Sequence, residues 1–163
     1  MLYALMKTVH LLGIVVWVGG MFFTLYCLRP AAMTTLDGPL RVRLMHAALA
    51  RFFQVVLVAA VLVLVSGGWM MNQAAQASAA AGATFNMPLD WYAMAGLGVL
   101  MIAIFGHIRF VLFRRLAQAV DTQAWPAGAA ALGAIRQWVV VNLGLGVAIV
   151  VATQIGRDRK SVV

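Results

Sequence analysis

Few residues in this chain could carry chemistry. Three histidines, His10, His46 and His107, and ten methionines stand beside one cysteine, four aspartates and no glutamate. Imidazole and thioether together form the soft donor set that selects Cu(I), while scarce thiolate and carboxylate disfavour zinc, calcium and magnesium. No Walker loop, nucleophile elbow, HExxH or dinucleotide fingerprint occurs, and the lone aspartates offer no carboxylate pair for acid–base catalysis. Cys27 has no intrachain partner. With neither CxxC nor CxxCH present, redox dithiol chemistry and covalent c-type haem are excluded, whereas haem held by histidine alone is not.

The elements that must position these groups are membrane helices. Of the 163 residues 64% are apolar and 10% charged, against roughly 45–50% and 25% in a soluble domain. A hydrocarbon core of ~30 Å needs ~20 apolar residues per helical crossing, so the length accommodates about four helices and no large soluble domain. Unbroken apolar runs contradict the ~10-residue alternation of a membrane β-barrel. The pattern predicts an all-α, integral membrane four-helix bundle forming a single domain, with helices over about 3–28, 40–72, 91–113 and 137–155. The first run is longer than a signal-peptide core and carries its arginine behind it, at Arg29-Pro30. Asn72 to Pro88 reads as a polar loop, Asp90 as a cap for the third helix, and Pro126 with Gly128 as punctuation of the last loop.

The formal charge of +8 would suggest nucleic acid in a soluble protein, but here the basic residues end helices and suit anionic lipid, so no nucleic-acid partner is expected. Arg29, Arg41, Arg43, Arg51, Arg109, Arg114, Arg115 and Arg136 gather on one side. Lys7, Arg157, Arg159 and Lys160 lie on the other, which predicts an N-out/C-out orientation. In a bacterial cell the membrane would be the inner, cytoplasmic one.

Ionisable groups at membrane depth are expensive, so the histidines mark where chemistry should be sought. His10 lies roughly 10 Å below the outer face and His107 roughly 10 Å above the inner one. Helical spacing puts Met6, His10, Trp17, Met21 and Thr24 on one inward stripe, and Met70, Met71 and Met94 can join at the same outer depth. Methionine is also an ordinary filler of irregular packing. A second polar group is expected in the inner half, from His107, Asn142, Gln54, His46 and Arg51. His107 shares a face with Ala103, Leu100 and Gly96, slim enough to leave room for a planar ligand. Arg51, Arg109 and Arg114 could pair with haem propionates or simply snorkel to headgroups. Two axial ligands of one iron must approach within about 4–4.5 Å, which the depths of His10 and His107 oppose.

The run Lys7-Thr8-Val9-His10 continuing to Trp17 and Gly20 has the pattern K-x-x-H-x(6)-W-x-x-G and resembles the first helix of the CopD family of copper-resistance membrane proteins. Arg29-Pro30-Ala31, Arg51-Phe52-Phe53, Gly68, His107, Arg114-Arg115 and Asn142-Leu143-Gly144 look like further family positions. The architecture is also similar to the four-helix haem-binding protoporphyrinogen oxidase family, in which a first-helix histidine and a third-helix lysine matter. His10 matches the histidine; Ala95 stands where the lysine would fall, which argues against porphyrinogen oxidation. The resemblance implies an inner-membrane protein handling copper ion, with the His10–methionine group capturing Cu(I) and the His107 group receiving it. The alternative it implies is a haem b membrane oxidoreductase passing electrons to quinone or oxygen species. A structural or partner-binding subunit, including a homo-oligomer, needs neither site.

Overall fold

The computed structural model describes the backbone of residues 1–84 and 86–161, and their side chains apart from Asp90 and residues 154–161. All regular structure among the described residues is helical, and four helices are long and apolar enough to cross a membrane. We number them α1 (Leu2–Thr35), α2 (Gly38–Ala80), α3 (residues 89–121) and α4 (Trp125–Ser161). Large apolar side chains cover the outside of the bundle, among them Leu12, Val15, Phe22, Val58, Val65 and Val99. A girdle of this kind would aggregate in water but costs nothing against lipid tails, and helices satisfy every backbone group internally. The chain is an all-α, multi-pass membrane bundle.

The helices outrun their predicted ends, each for a local reason. Helix α1 does not stop at Arg29-Pro30; it passes through a π-turn, Thr24–Leu28, into Arg29–Thr35. Pro30 has no N–H to donate and its ring would press on the carbonyl one turn back, and a widened turn just before it relieves both problems. Helix α2 extends past Asn72 to Ala80, so half of the expected polar loop is helical. Its sequence there is mostly alanine, the strongest helix former, and it stops where Gly82 takes φ +67° and the Ala83 N–H donates to the Ser78 carbonyl. The start of α3 corrects the capping expectation: the helix begins at Leu89 with Pro88 in extended geometry as its cap residue, and the Asp90 side chain lies outside the described residues. Helix α3 then continues beyond Phe113, through a second π-turn at Ile108–Leu112, to Asp121.

Pro126 and Gly128 are not in a loop either, since α4 begins at Trp125. Proline is tolerated in a first helical turn. Gly128 is buried where a Cβ would come within 2.9 Å of Val42 Cγ1, so its hydrogen allows α4 to cross α2 closely.

Tight links, Leu36-Asp37 and residues 122–124, join the helices at the arginine-rich end. Helices α1 and α2 run antiparallel, pairing Tyr3 with Trp69 at one end and Gly20 with Phe52 at the other. Helix α4 packs against the other three. Where they meet, an aromatic ladder fills the centre: Trp17 lies edge-on to Phe105 at 5.8 Å, Phe105 to Phe53 at 5.9 Å, and Phe53 to Phe113 at 5.3 Å. Each such edge-to-face pair contributes about 0.5–1.5 kcal/mol beyond the area it buries.

Candidate functional site

His10 points across the α1–α2 seam, half-buried, and its partners define its chemistry. Nδ1 lies 3.0 Å from the Val63 carbonyl oxygen and 3.1 Å from Ser66 Oγ. A carbonyl can only accept, so Nδ1 carries the proton of the neutral ring. The Ser66 hydroxyl is itself committed to the Leu62 carbonyl, which leaves its oxygen free to take a share of the imidazole N–H. In the neutral ring Nε2 then holds the lone pair, and no hydrogen bond occupies it among the described residues. This is the arrangement in which histidine ligates a metal: one ring nitrogen oriented by an acceptor, the other available.

The backbone makes room for the ring. A Cβ at Gly67 would come within 3.1 Å of His10 Cε1, so glycine at this position lets the imidazole approach α2 closely. One turn deeper, a Cβ at Gly13 would reach 2.7 Å from Val63 Cγ2, and the seam closes to apolar contact.

Moving outward by one turn from His10 on α1 reaches Met6, and one turn outward on α2 from Ser66 and Gly67 reaches Met70 and Met71. All three are half-buried. The antiparallel register fixed by Tyr3 and Trp69 puts these three residues about one helical turn, ~5 Å, from the level of His10. Met94 is at a similar depth, but on α3, which in this half packs on α4. Trp17 and Met21 are buried on the His10 stripe and belong to the aromatic core.

The inner residues do not gather. His107 is exposed on the outer surface of α3, edge-on to Trp138 at 5.5 Å. Gly96, Leu100 and Ala103 on the same face are exposed too, so the room expected there for a planar ligand opens towards lipid and not into the bundle. Arg51 and Gln54 also face outward. His46 is half-buried and stacks on Phe113 at 5.1 Å. Asn142 alone is buried, with Nδ2 donating weakly to the Met101 carbonyl at 3.4 Å and Oδ1 unpartnered.

Depth separates the histidines as well. Trp17 and Phe105 touch, which fixes a common level. His10 is seven residues outward from it and His107 two residues inward, a spacing of roughly 13 Å. Coordination of one iron by both is excluded in this arrangement. Among the described residues no three His, Cys, Asp or Glu side chains converge on a metal position. Any soft-metal site would rest on His10 and methionines, a donor set without acids or thiolates.

Arg43 sits over the Trp125 ring at 5.0 Å and Arg109 over Phe113 at 5.3 Å, so these two cations are held by aromatic faces at the basic end. Arg114 and Arg115 project from the exposed side of α3.

The fold defines a polytopic helical membrane protein with a half-buried imidazole in the seam between its first two helices. The family model for copper resistance protein D matches residues 46–155, and the chain belongs to that family, a family of copper-resistance membrane proteins. No curated protein and no solved structure matches the chain. The matched stretch begins at His46 and covers most of α2, α3 and most of α4. Helix α1, with His10, lies outside it.

Proposed function

We propose that this protein binds Cu(I) at the outer half of the bundle, between α1 and α2, as the copper-handling step of a CopD-type membrane protein. His10 Nε2 is the anchoring donor, and Met6 with Met70 or Met71 supplies thioether sulfur. The observation that carries the reading is the His10 Nδ1–H bond to the Val63 carbonyl, which leaves Nε2 as a lone pair at membrane depth. Family membership relates the chain to copper, and the neutral imidazole–thioether set suits Cu(I) more than any harder ion.

The copper ion is cargo here. This chain's residues strip its hydration, hold it against α2 and stop it from moving inward. Trp17, Phe53 and Phe105 close the interior below His10 with apolar and aromatic groups, so onward transfer to the inner side requires the helices to move. The excess of arginine at the opposite end supports an orientation with both termini outward, in a bacterial inner membrane, and hence loading from the outer side.

The test is a Cu(I) titration of the detergent-purified protein against a chromophoric chelator, for wild type, His10→Ala, and the His46→Ala/His107→Ala pair. One equivalent lost in His10→Ala and kept in the pair is the expected result. Unchanged binding in His10→Ala would sink the reading. An absorption spectrum of the same sample tests the haem b alternative: a Soret band that disappears in His10→Ala, with no copper bound, would replace copper by haem as the ligand of this imidazole.

A further inference from the structure

At the basic end, three arginines from three helices converge on one cleft. Arg29 follows the π-turn of α1, Arg41 lies in the first turn of α2 and Arg136 in α4, and together they line a cavity of about 190 Å³. No Asp or Glu lines it. Arg41 and Arg136 are close enough for their charges to act on Arg29, so the cleft concentrates positive charge without an internal counter-ion. Arg29 and Arg41 are half-buried, which distinguishes them from the exposed Arg114 and Arg115 at the same end.

The π-turn has a direct bearing on this convergence. It inserts one residue into the helical register, which rotates everything after it by about 100°. The Arg29 N–H donates to the Thr24 carbonyl five residues back, and with that shift Arg29 joins Thr24 and Leu25 on the cleft side. Between and beside the arginines the cleft is walled by the apolar side chains of Val42, Met45, Leu49, Leu132 and Val139.

We propose that this cleft binds one anionic phospholipid of the adjacent leaflet, with its phosphate among Arg29, Arg41 and Arg136 and an acyl chain against the apolar walls. Three converging guanidiniums match the several oxygens of a phosphate, and guanidinium binds such oxygens in pairs. The apolar walls suit a hydrocarbon chain and would contribute nothing to a free ion. A basic rim that merely favours anionic membranes would spread its cations around the bundle; here arginines from three helices line one cleft.

The test is lipid retention by native mass spectrometry, together with thermal unfolding in mixed micelles, using phosphatidylglycerol and phosphatidylcholine. Wild type should keep phosphatidylglycerol in preference to phosphatidylcholine at one-to-one stoichiometry and unfold at higher temperature in its presence. Arg29→Gln/Arg41→Gln/Arg136→Gln should lose the preference. Arg136→Gln alone, at an exposed position that the fold does not need, should weaken it about fivefold. Arg114→Gln/Arg115→Gln should leave it unchanged. If the triple variant fails to fold, the single Arg136→Gln variant decides. Equal loss in the Arg114/Arg115 pair, or no preference in wild type, overturns the proposal in favour of a generic basic rim. Displacement of the lipid by glycerol phosphate at equal concentration overturns it in favour of a soluble anion.

Discussion

The proton on the His10 ring decides what the residue can do, and two α2 groups decide where that proton sits. Val63 offers a carbonyl that no substitution of its side chain removes, while Ser66 adds a second acceptor. Ser66→Ala should therefore lower Cu(I) affinity by less than about tenfold, the lower end of what losing an outer-shell partner costs, whereas His10→Ala abolishes it. Chelator competition on both variants checks the order. Gly67→Ala is a sharper probe, because the new Cβ would meet the imidazole edge at 3.1 Å. Copper affinity should fall by about tenfold, while alanine, the better helix former, leaves the unfolding temperature at or above that of wild type. Asn142 poses the opposite case. Its Oδ1 is buried without a partner, a condition that costs about 1–3 kcal/mol. Asn142→Leu should raise stability by about 1 kcal/mol, seen as a higher unfolding temperature with copper binding unaltered; a loss of copper would move Asn142 into the site.

Between helices, close approach is the dominant effect, and two neighbouring glycines separate it from chance. A Cβ at Gly20 would overlap the Phe52 ring, while nothing lies within 4 Å of one at Gly19. Overpacking a tight seam costs about 1–3 kcal/mol. Gly20→Ala should accordingly lower the unfolding temperature in detergent, and Gly19→Ala should not. Equal effects would mean that α1 and α2 are less tightly apposed than the Phe52 contact requires. The same seam carries His10, so Gly20→Ala should also weaken copper binding if the helices separate. The two π-turns, Thr24–Leu28 in α1 and Ile108–Leu112 in α3, each fall near the arginine-rich end and show how one inserted residue re-aims the remainder of a helix.

For the whole molecule, antiparallel pairing of four helices brings the start of α1 and the end of α4 to one end and the tight links to the other, and eight of the ten arginines lie with the links. A cysteine at Ser78, in a Cys27→Ser background, should react with a membrane-impermeant maleimide in intact spheroplasts. One at Gln123 should react only after the membrane is broken. The reverse pattern would invert the orientation and put the His10 layer on the cytoplasmic side.

Much of this was legible in the residue order. Apolar runs of membrane length dictate four helices because unsatisfied backbone groups are intolerable in hydrocarbon, and the spacing of Met6, His10, Trp17 and Met21 marks the inward stripe of α1 because helical period alone sets which residues share a face. Helix ends were less legible: Pro30, Pro126 and the alanine-rich stretch after Asn72 each continue a helix, since a widened turn, a first-turn position and high propensity outweigh the usual stop signals. The expected inner polar group failed for a different reason. Period places His107 with Ala103 and Leu100, but only packing against α4 turns that face to lipid, and only the pairing of α1 with α2 delivers Val63 and Ser66 to His10. Which residues share a helix face is a local property of the chain. Which face meets another helix depends on contacts between distant segments, and those the tertiary structure alone decides.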